Sequence, residues 1–154
     1  IEPLRRQETN IINTTRQGLD LVKAVNDPNF ELLIDFYHLA SEKEDPAIIL
    51  EAREHIRHLH MANPQGRVFP LVWEEFDYAP FFANLRQIGY AGRISIEASS
   101  RDVPTEAPKA IALLRRAFID PPPRVANERP TPRRGAPYFF ATVHVPLASS
   151  PPPF

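Results

Sequence analysis

The sequence has 154 residues, with 18 Lys+Arg against 19 Asp+Glu, no cysteine, 43% hydrophobic and 24% charged residues. That length suits one domain of ordinary globular composition, and a net charge of −1 lacks the basic excess of a dedicated nucleic-acid binder. The absence of cysteine excludes disulfides, zinc ribbons, Fe–S clusters and thiol nucleophiles and suits a cytoplasmic protein; no apolar run approaches the ~18 residues of a membrane span.

In chain order, Ile1–Leu4 (IEPL) reads as the end of a strand cut off on its N-terminal side. No signal peptide is visible, and a start at Ile1 in place of Met leads us to expect natural sequence upstream. From Thr15 to Val25, Leu19, Val22 and Val25 share one helical face, which Asn26-Asp27-Pro28 ends. Glu31–Phe36 (ELLIDF) is a second strand. Asp45-Pro46 predicts a helix start, with Asp as N-cap and Ile49, Ala52 and Ile56 as its apolar stripe. Ile56–Ala62 (IRHLHMA) is a third strand. Asp77 is the expected cap of a helix with Phe81, Leu85 and Ile88 on one side, stopped by Gly89. Arg93–Ala98 (RISIEA) is a fourth strand, followed by a helix from about Pro104 to Phe118 with Ala107, Ile111, Leu114 and Phe118 at helical spacing.

After Asp120 the composition changes: ten of the 18 prolines lie there, with four arginines and one glutamate. Proline removes a donor and fixes φ, so residues 121–154 are expected to form an extended, mostly disordered tail, separate from a domain spanning residues 1–120. Within the tail, Tyr138–Val145 is apolar and β-prone, and reads either as a docking strand or as an aggregation-prone segment.

The resulting order is four βα units with a truncated first strand. Alternating strands and helices imply an α/β fold with parallel strands and right-handed crossovers. Unit lengths of roughly 25–35 residues match a (β/α)8 TIM barrel, of which four units are the C-terminal half. An open four-stranded sheet would leave two unpaired edges and one wet face.

Glu2, Asp35, His60 and Glu97 each fall in or at the C-terminal end of one strand. In a parallel barrel those ends converge on one mouth. Three carboxylates and one imidazole, one per strand, suit a divalent cation such as Mn²⁺, Mg²⁺ or Co²⁺ better than a structural zinc. No GxGxxG and no P-loop is present, so no nucleotide cofactor is expected.

These residues resemble the C-terminal half of the sugar isomerase/epimerase superfamily with a xylose isomerase-like barrel. That group includes the tagatose/psicose 3-epimerases and hydroxypyruvate isomerases, with endonuclease IV more distant. The segments that carry the resemblance are Ile1-Glu2-Pro3-Leu4 followed by Glu8, Leu33-Ile34-Asp35-Phe36-Tyr37-His38, His58-Leu59-His60-Met61-Ala62-Asn63 followed by Arg67, and Ile94-Ser95-Ile96-Glu97. It covers about residues 1–118 and none of the tail. The resemblance implies that Glu2, Asp35, His60 and Glu97 bind the metal, with Mn²⁺ the first expectation. It implies that Glu2 and Glu97 double as an acid/base pair, and that Glu8, His38 and Arg67 hydrogen-bond the substrate's carbonyl and hydroxyl oxygens. Two departures are Arg67, which stands one residue further from His60 than in 3-epimerases, and Leu39-Ala40 after His38 in place of Met-Asn.

The implied activity is a metal-dependent isomerisation or epimerisation of a sugar or small hydroxy-keto acid. A carboxylate removes the proton beside a carbonyl, a metal-held enediolate forms, and a proton returns at the same or the neighbouring carbon. A lyase or dehydratase of the same superfamily is an alternative, as is a non-catalytic truncated half-barrel. A repair nuclease is weaker, because it would want a richer metal cluster and a cationic groove. Expected partners are a second copy of the chain or an N-terminal half-barrel. Among the other histidines, His58 shares the face of His60 by strand alternation and reads as a supporting group or as packing. His55 and His144 are expected to have no role.

Overall fold

A computed structural model describes residues 1–119 and 139–146. Helix α1 (Thr15–Val25) is fixed at both ends by local chemistry. The Thr14 hydroxyl accepts the Gln17 N–H at 3.2 Å while Gln17 Oε1 accepts the Thr14 N–H at 3.3 Å, a reciprocal capping box. Glu44, from a distant loop, takes the Thr15 and Arg16 N–H groups at 2.7 and 2.9 Å, which places a negative charge at the positive helix end. Asn26 closes the helix in the left-handed region (φ 50°), its N–H on Val22 O.

Strand β1 (Leu32–Asp35) runs directly into helix α2 (Phe36–Ser41), with Asp35 as N-cap. The expected strand at Glu31–Phe36 is therefore shorter, because the Asp35 carboxylate takes the Tyr37 N–H at 2.8 Å and starts a helix. Helix α3 (Ile48–Ala52) begins later than Asp45-Pro46 predicts. Asp45 instead caps a turn, its Oδ1 accepting the Ala47 N–H at 2.9 Å, and Ile56 belongs to the next strand and not to the helix stripe. A 3₁₀ turn (Arg53–His55) leads into strand β2 (Ile56–Met61). Helix α4 (Ala79–Gln87) starts two residues after Asp77, so the N-cap position falls on Tyr78, without a side-chain cap bond there, and not on Asp77 as expected. Strand β3 (Arg93–Ser100) and helix α5 (Val103–Ile119) follow.

Strands β1, β2 and β3 are parallel and adjacent in chain order, with Asp35 opposite His60 and His60 opposite Ser95. Ile1–Leu4 is not a regular strand, yet it extends this sheet: the Ile1 amino group donates to Glu31 O, and Leu33 N–H donates to Ile1 O at 2.8 Å. Together these make an α/β partial barrel. On the far edge, strand β4 (Phe139–Pro146) pairs antiparallel with the whole of β3, from Arg93↔Pro146 to Ser100↔Phe139. Of the two readings of Tyr138–Val145, the backbone takes that of a strand on the sheet. The rest of the expected tail, residues 120–138 and 147–154, lies outside the described residues.

The core explains why the strands alternate. Leu32, Ile34, Leu59, Met61, Ile94, Ile96 and Ala98 are buried and join Leu19, Val22, Ile49, Leu85 and Leu114 of the helices. An aromatic group around α4 (Phe36, Trp73, Tyr78, Phe81, Phe82) completes it, with ring centroids 4.8–6.0 Å apart. The alternate strand positions carry Leu33, Asp35, His58, His60, Ser95 and Glu97, so the opposite face is largely polar. Among the described residues no helix is long and apolar enough to cross a membrane.

Candidate metal centre

Parallel register brings the strand-end residues together. Asp35 and His60 are cross-strand neighbours, and Glu97 lies one step past the last β2–β3 pair, Met61↔Ile96. Glu2 arrives from the segment bonded alongside β1. One ligand atom from each of Glu2, Asp35, His60 and Glu97 falls within 4.8 Å of the other three. His60 Nδ1 lies 3.2 Å from Glu2 Oε1 and 2.9 Å from Glu97 Oε2.

Burial and charge act against each other here. Asp35 is 2% exposed, and burial pushes its carboxyl up to about 7, opposed by the Tyr37 N–H and reinforced by the Glu2 charge. Burial works against ionisation of Glu2 and His60 too. In both, their mutual hydrogen bond and the surrounding opposite charges outweigh it, so Glu2 is lowered and His60 raised. One oxygen of Asp35 is occupied by Tyr37, while Oδ2 is buried without a hydrogen-bond partner. An orphaned carboxylate oxygen beside two more carboxylates and an imidazole is a donor set that fits a hard divalent cation. These four residues could hold one.

The three residues expected at the substrate lie beside this cluster. The Arg5 backbone N–H donates to His38 Nδ1 at 3.2 Å, so the neutral ring carries its proton on Nε2. That Nε2 is buried without a hydrogen-bond partner, 3.8 Å from Asp35 Oδ2 and 3.9 Å from Glu8 Oε2. Burial, with the nearby Arg67 charge, lowers His38 despite the Glu8 carboxylate, which favours the neutral donor form. Arg67 reaches Glu97 at 3.1 Å, Glu8 at 3.5 Å and Asp35 at 3.6 Å.

The loop after β2 holds Arg67 there. Asn63 N–H donates to Val68 O, Gln65 N–H to Asn63 Oδ1, and Ser99 N–H of β3 to Arg67 O at 2.7 Å. Gly66 (φ 89°) and Arg67 (φ 50°) make the turn in the left-handed region, where glycine is at ease and arginine is not. The buried Asn63 amide donates to Glu75 Oε2 at 2.8 Å, which ties this loop to the Trp73–Glu75 turn.

Sequence reasoning missed Tyr37 and Arg5. Two guanidinium groups, Arg5 and Arg67, pack on the Tyr37 ring, each 4.8 Å from its centroid. Arg5 also binds Glu8 at 2.7 Å. The adjacency of Tyr37 to His38 was the one available signal. His58 sits below His60 and bonds Ser95, His55 bonds Glu31 at 3.2 Å away from the cluster, and the side chain of His144 lies outside the described residues.

The pattern of a family described as "Xylose isomerase-like TIM barrel" matches residues 1–117. Over 104 residues the chain is 36% identical to an L-ribulose 3-epimerase of Methylomonas sp. (strain DH-1), covering 67% of this chain and 36% of that protein. The crystal structure of a D-allulose 3-epimerase from Methylomonas sp. superposes with a TM-score of 0.68 at 29% identity, covering 75% of this chain and 47% of the other. A 3-dehydroshikimate dehydratase of Pseudomonas aeruginosa is 29% identical over 145 residues, 84% of this chain and 23% of that protein. The chain thus spans about a third of the length of the curated epimerase it matches.

Proposed function

The chain belongs to the xylose isomerase-like TIM-barrel family, and from that premise we propose that it carries the cation-binding and acid–base half of a divalent-metal-dependent isomerase or epimerase acting on a sugar or small hydroxy-keto acid. The observation that carries this reading is the convergence of Glu2, Asp35, His60 and Glu97 within 4.8 Å. Those four side chains hold the cation, with Mn²⁺ first and Mg²⁺ or Co²⁺ next. When bound, the cation supplies Lewis-acid stabilisation of negative charge on a carbonyl and its neighbouring hydroxyl oxygen.

The protein's own groups do the rest. Glu2 and Glu97 lie 3.2 and 2.9 Å from His60 Nδ1, and serve as the pair that takes a proton from carbon and returns one. His38 Nε2–H, buried and aimed past Asp35 and Glu8 without a hydrogen bond to either, donates to a substrate oxygen. Glu8 accepts from a hydroxyl, while Arg67 keeps the Glu97 carboxylate in place and donates to the substrate. Arg5 pairs with Glu8, and Arg67 pairs with Glu8, Glu97 and Asp35. That neutralisation favours an uncharged ketose over a phosphate ester or a carboxylate. The 3-epimerase relatives point the same way.

The dehydratase relative, aligned over more of the chain, keeps a second reading open in which the same cluster drives loss of water. Completing the ring takes further strands, those of an N-terminal half-barrel or of a second copy, and on the β3 side they would have to take the place of β4. The test is proton exchange. Full chain with Mn²⁺ is incubated in D₂O with a panel of ketoses and hydroxypyruvate, followed by proton NMR. Loss of one C–H signal, abolished by chelator, is expected. Cation binding without any exchange makes this chain a non-catalytic fragment, and release of water from a hydroxy acid selects the dehydratase.

A further inference from the structure

Strand alternation stacks side chains on the polar face of the sheet. Asp35, His60 and Glu97 stand at the strand ends, and Leu33, His58 and Ser95 stand two residues earlier on the same strands, with Ser95 in register with His60 and diagonal to His58. His58 therefore sits directly beneath the only imidazole of the cluster. Its Nε2 hydrogen-bonds Ser95 Oγ at 2.7 Å, and Ser95 is 0% exposed, so the anchor is rigid and shielded from water. The His58 and His60 rings meet with centroids 5.3 Å apart and planes at 90°.

The torsion that sets an imidazole's plane is soft and broadly populated. His60 needs one plane in particular, since only there does Nδ1 face both Glu2 Oε1 and Glu97 Oε2. The two carboxylates attract that nitrogen, but they are long, partly exposed side chains that move themselves. A perpendicular ring packed underneath supplies a rigid stop.

We propose that His58, anchored by Ser95, is a positioning residue that fixes the ring plane of His60 for cation binding. This rests on the metal site proposed above. Groups one layer behind metal ligands commonly set ligand orientation, and their loss weakens affinity by about 10–100-fold. Ser95 acts through its bond to His58, so the two effects are coupled and do not add.

The experiment is a double-mutant cycle in the full chain, read by calorimetric titration of Mn²⁺, with unfolding curves to confirm that each variant is folded. His58→Ala weakens binding by about tenfold, Ser95→Ala causes a smaller loss, and Ser95→Ala costs nothing further once His58 is gone. His58→Phe keeps a ring in place and recovers part of the loss. A second readout needs no metal. In chelator, long-range proton–nitrogen correlation spectra give one sharp His60 ring pattern in the parent and a broadened or doubled one in His58→Ala and Ser95→Ala. Additive losses, or folded variants with parental affinity and a parental His60 spectrum, overturn the proposal. If the parent itself binds no Mn²⁺, the metal site fails, and the His60 spectra still decide the positioning role.

Discussion

Asp35 holds two jobs in one side chain. Its Oδ1 caps α2 through Tyr37 N–H, while Oδ2 is buried beside Glu2 with no hydrogen bond. Substitution by asparagine separates them, because an amide oxygen still caps a helix but a neutral group no longer draws a cation. Asp35→Asn is therefore expected to lower Mn²⁺ affinity by more than about tenfold. In chelator it should be at least as stable as the parent, since a buried carboxylate next to another acid is removed. Calorimetric titration and urea unfolding of the same sample check both halves. A variant that unfolds earlier in chelator would mean that the charge itself supports the fold. The four clustered residues were legible because each ends a parallel strand, and strand ends of that kind meet at one mouth. Tyr37 was not legible. An aromatic after Phe36 reads as core, and the arginines that pack on it come from two loops far apart in the chain, so no spacing announces the contact. Ser95 is similar: its bond to His58 runs diagonally between strands whose register pairs it with His60.

Elements were readable where their ends carry their own chemistry. Helix α1 has a complete capping box and an Asn C-cap, and its expected bounds match the structure. Helix α2 escaped notice because Phe36 and Tyr37 continue the apolar run of β1, and only the Asp35 cap bond turns the chain. The Glu44 cap on α1 is tertiary and leaves no local trace. The same helix offers a test of packing against propensity. A Cβ at Gly18 would lie 2.8 Å from Leu32 Cδ2 and 2.8 Å from Pro3 Cγ, both buried. Alanine gains about 1 kcal/mol over glycine within a helix, but forcing a methyl into a full core costs about 1–3 kcal/mol. Overpacking wins, so Gly18→Ala is expected to destabilise the protein by about 1 kcal/mol, seen as a lower urea midpoint at unchanged slope. A raised midpoint would show that α1 has room to lift from β1 and the Ile1–Leu4 segment.

For the molecule as a whole, the question is what closes its edges. The βα order read from the sequence defines three parallel strands and the bonded Ile1–Leu4 segment, but sequence alone left Tyr138–Val145 between two fates, since proline-rich flanks and a β-prone centre point in opposite directions. The structure seats β4 along all eight residues of β3. A barrel closes by giving every strand a partner on both sides, and in a (β/α)8 ring those partners are parallel. β3 already has β2 on one side and an antiparallel strand on the other, so a parallel neighbour can join there only if β4 leaves. Unpaired edges recruit other chains, and β4 removes one. A chain ending at Ile119 is accordingly expected to lose hydrogen-exchange protection at alternate amides of Arg93–Ser100 and to associate with rising concentration in light scattering, whereas the full chain keeps both the protection and its mass. Equal protection in the two forms would mean that β4 does not hold this edge in solution, and the β3 side would then be open to the strands of a second half-barrel.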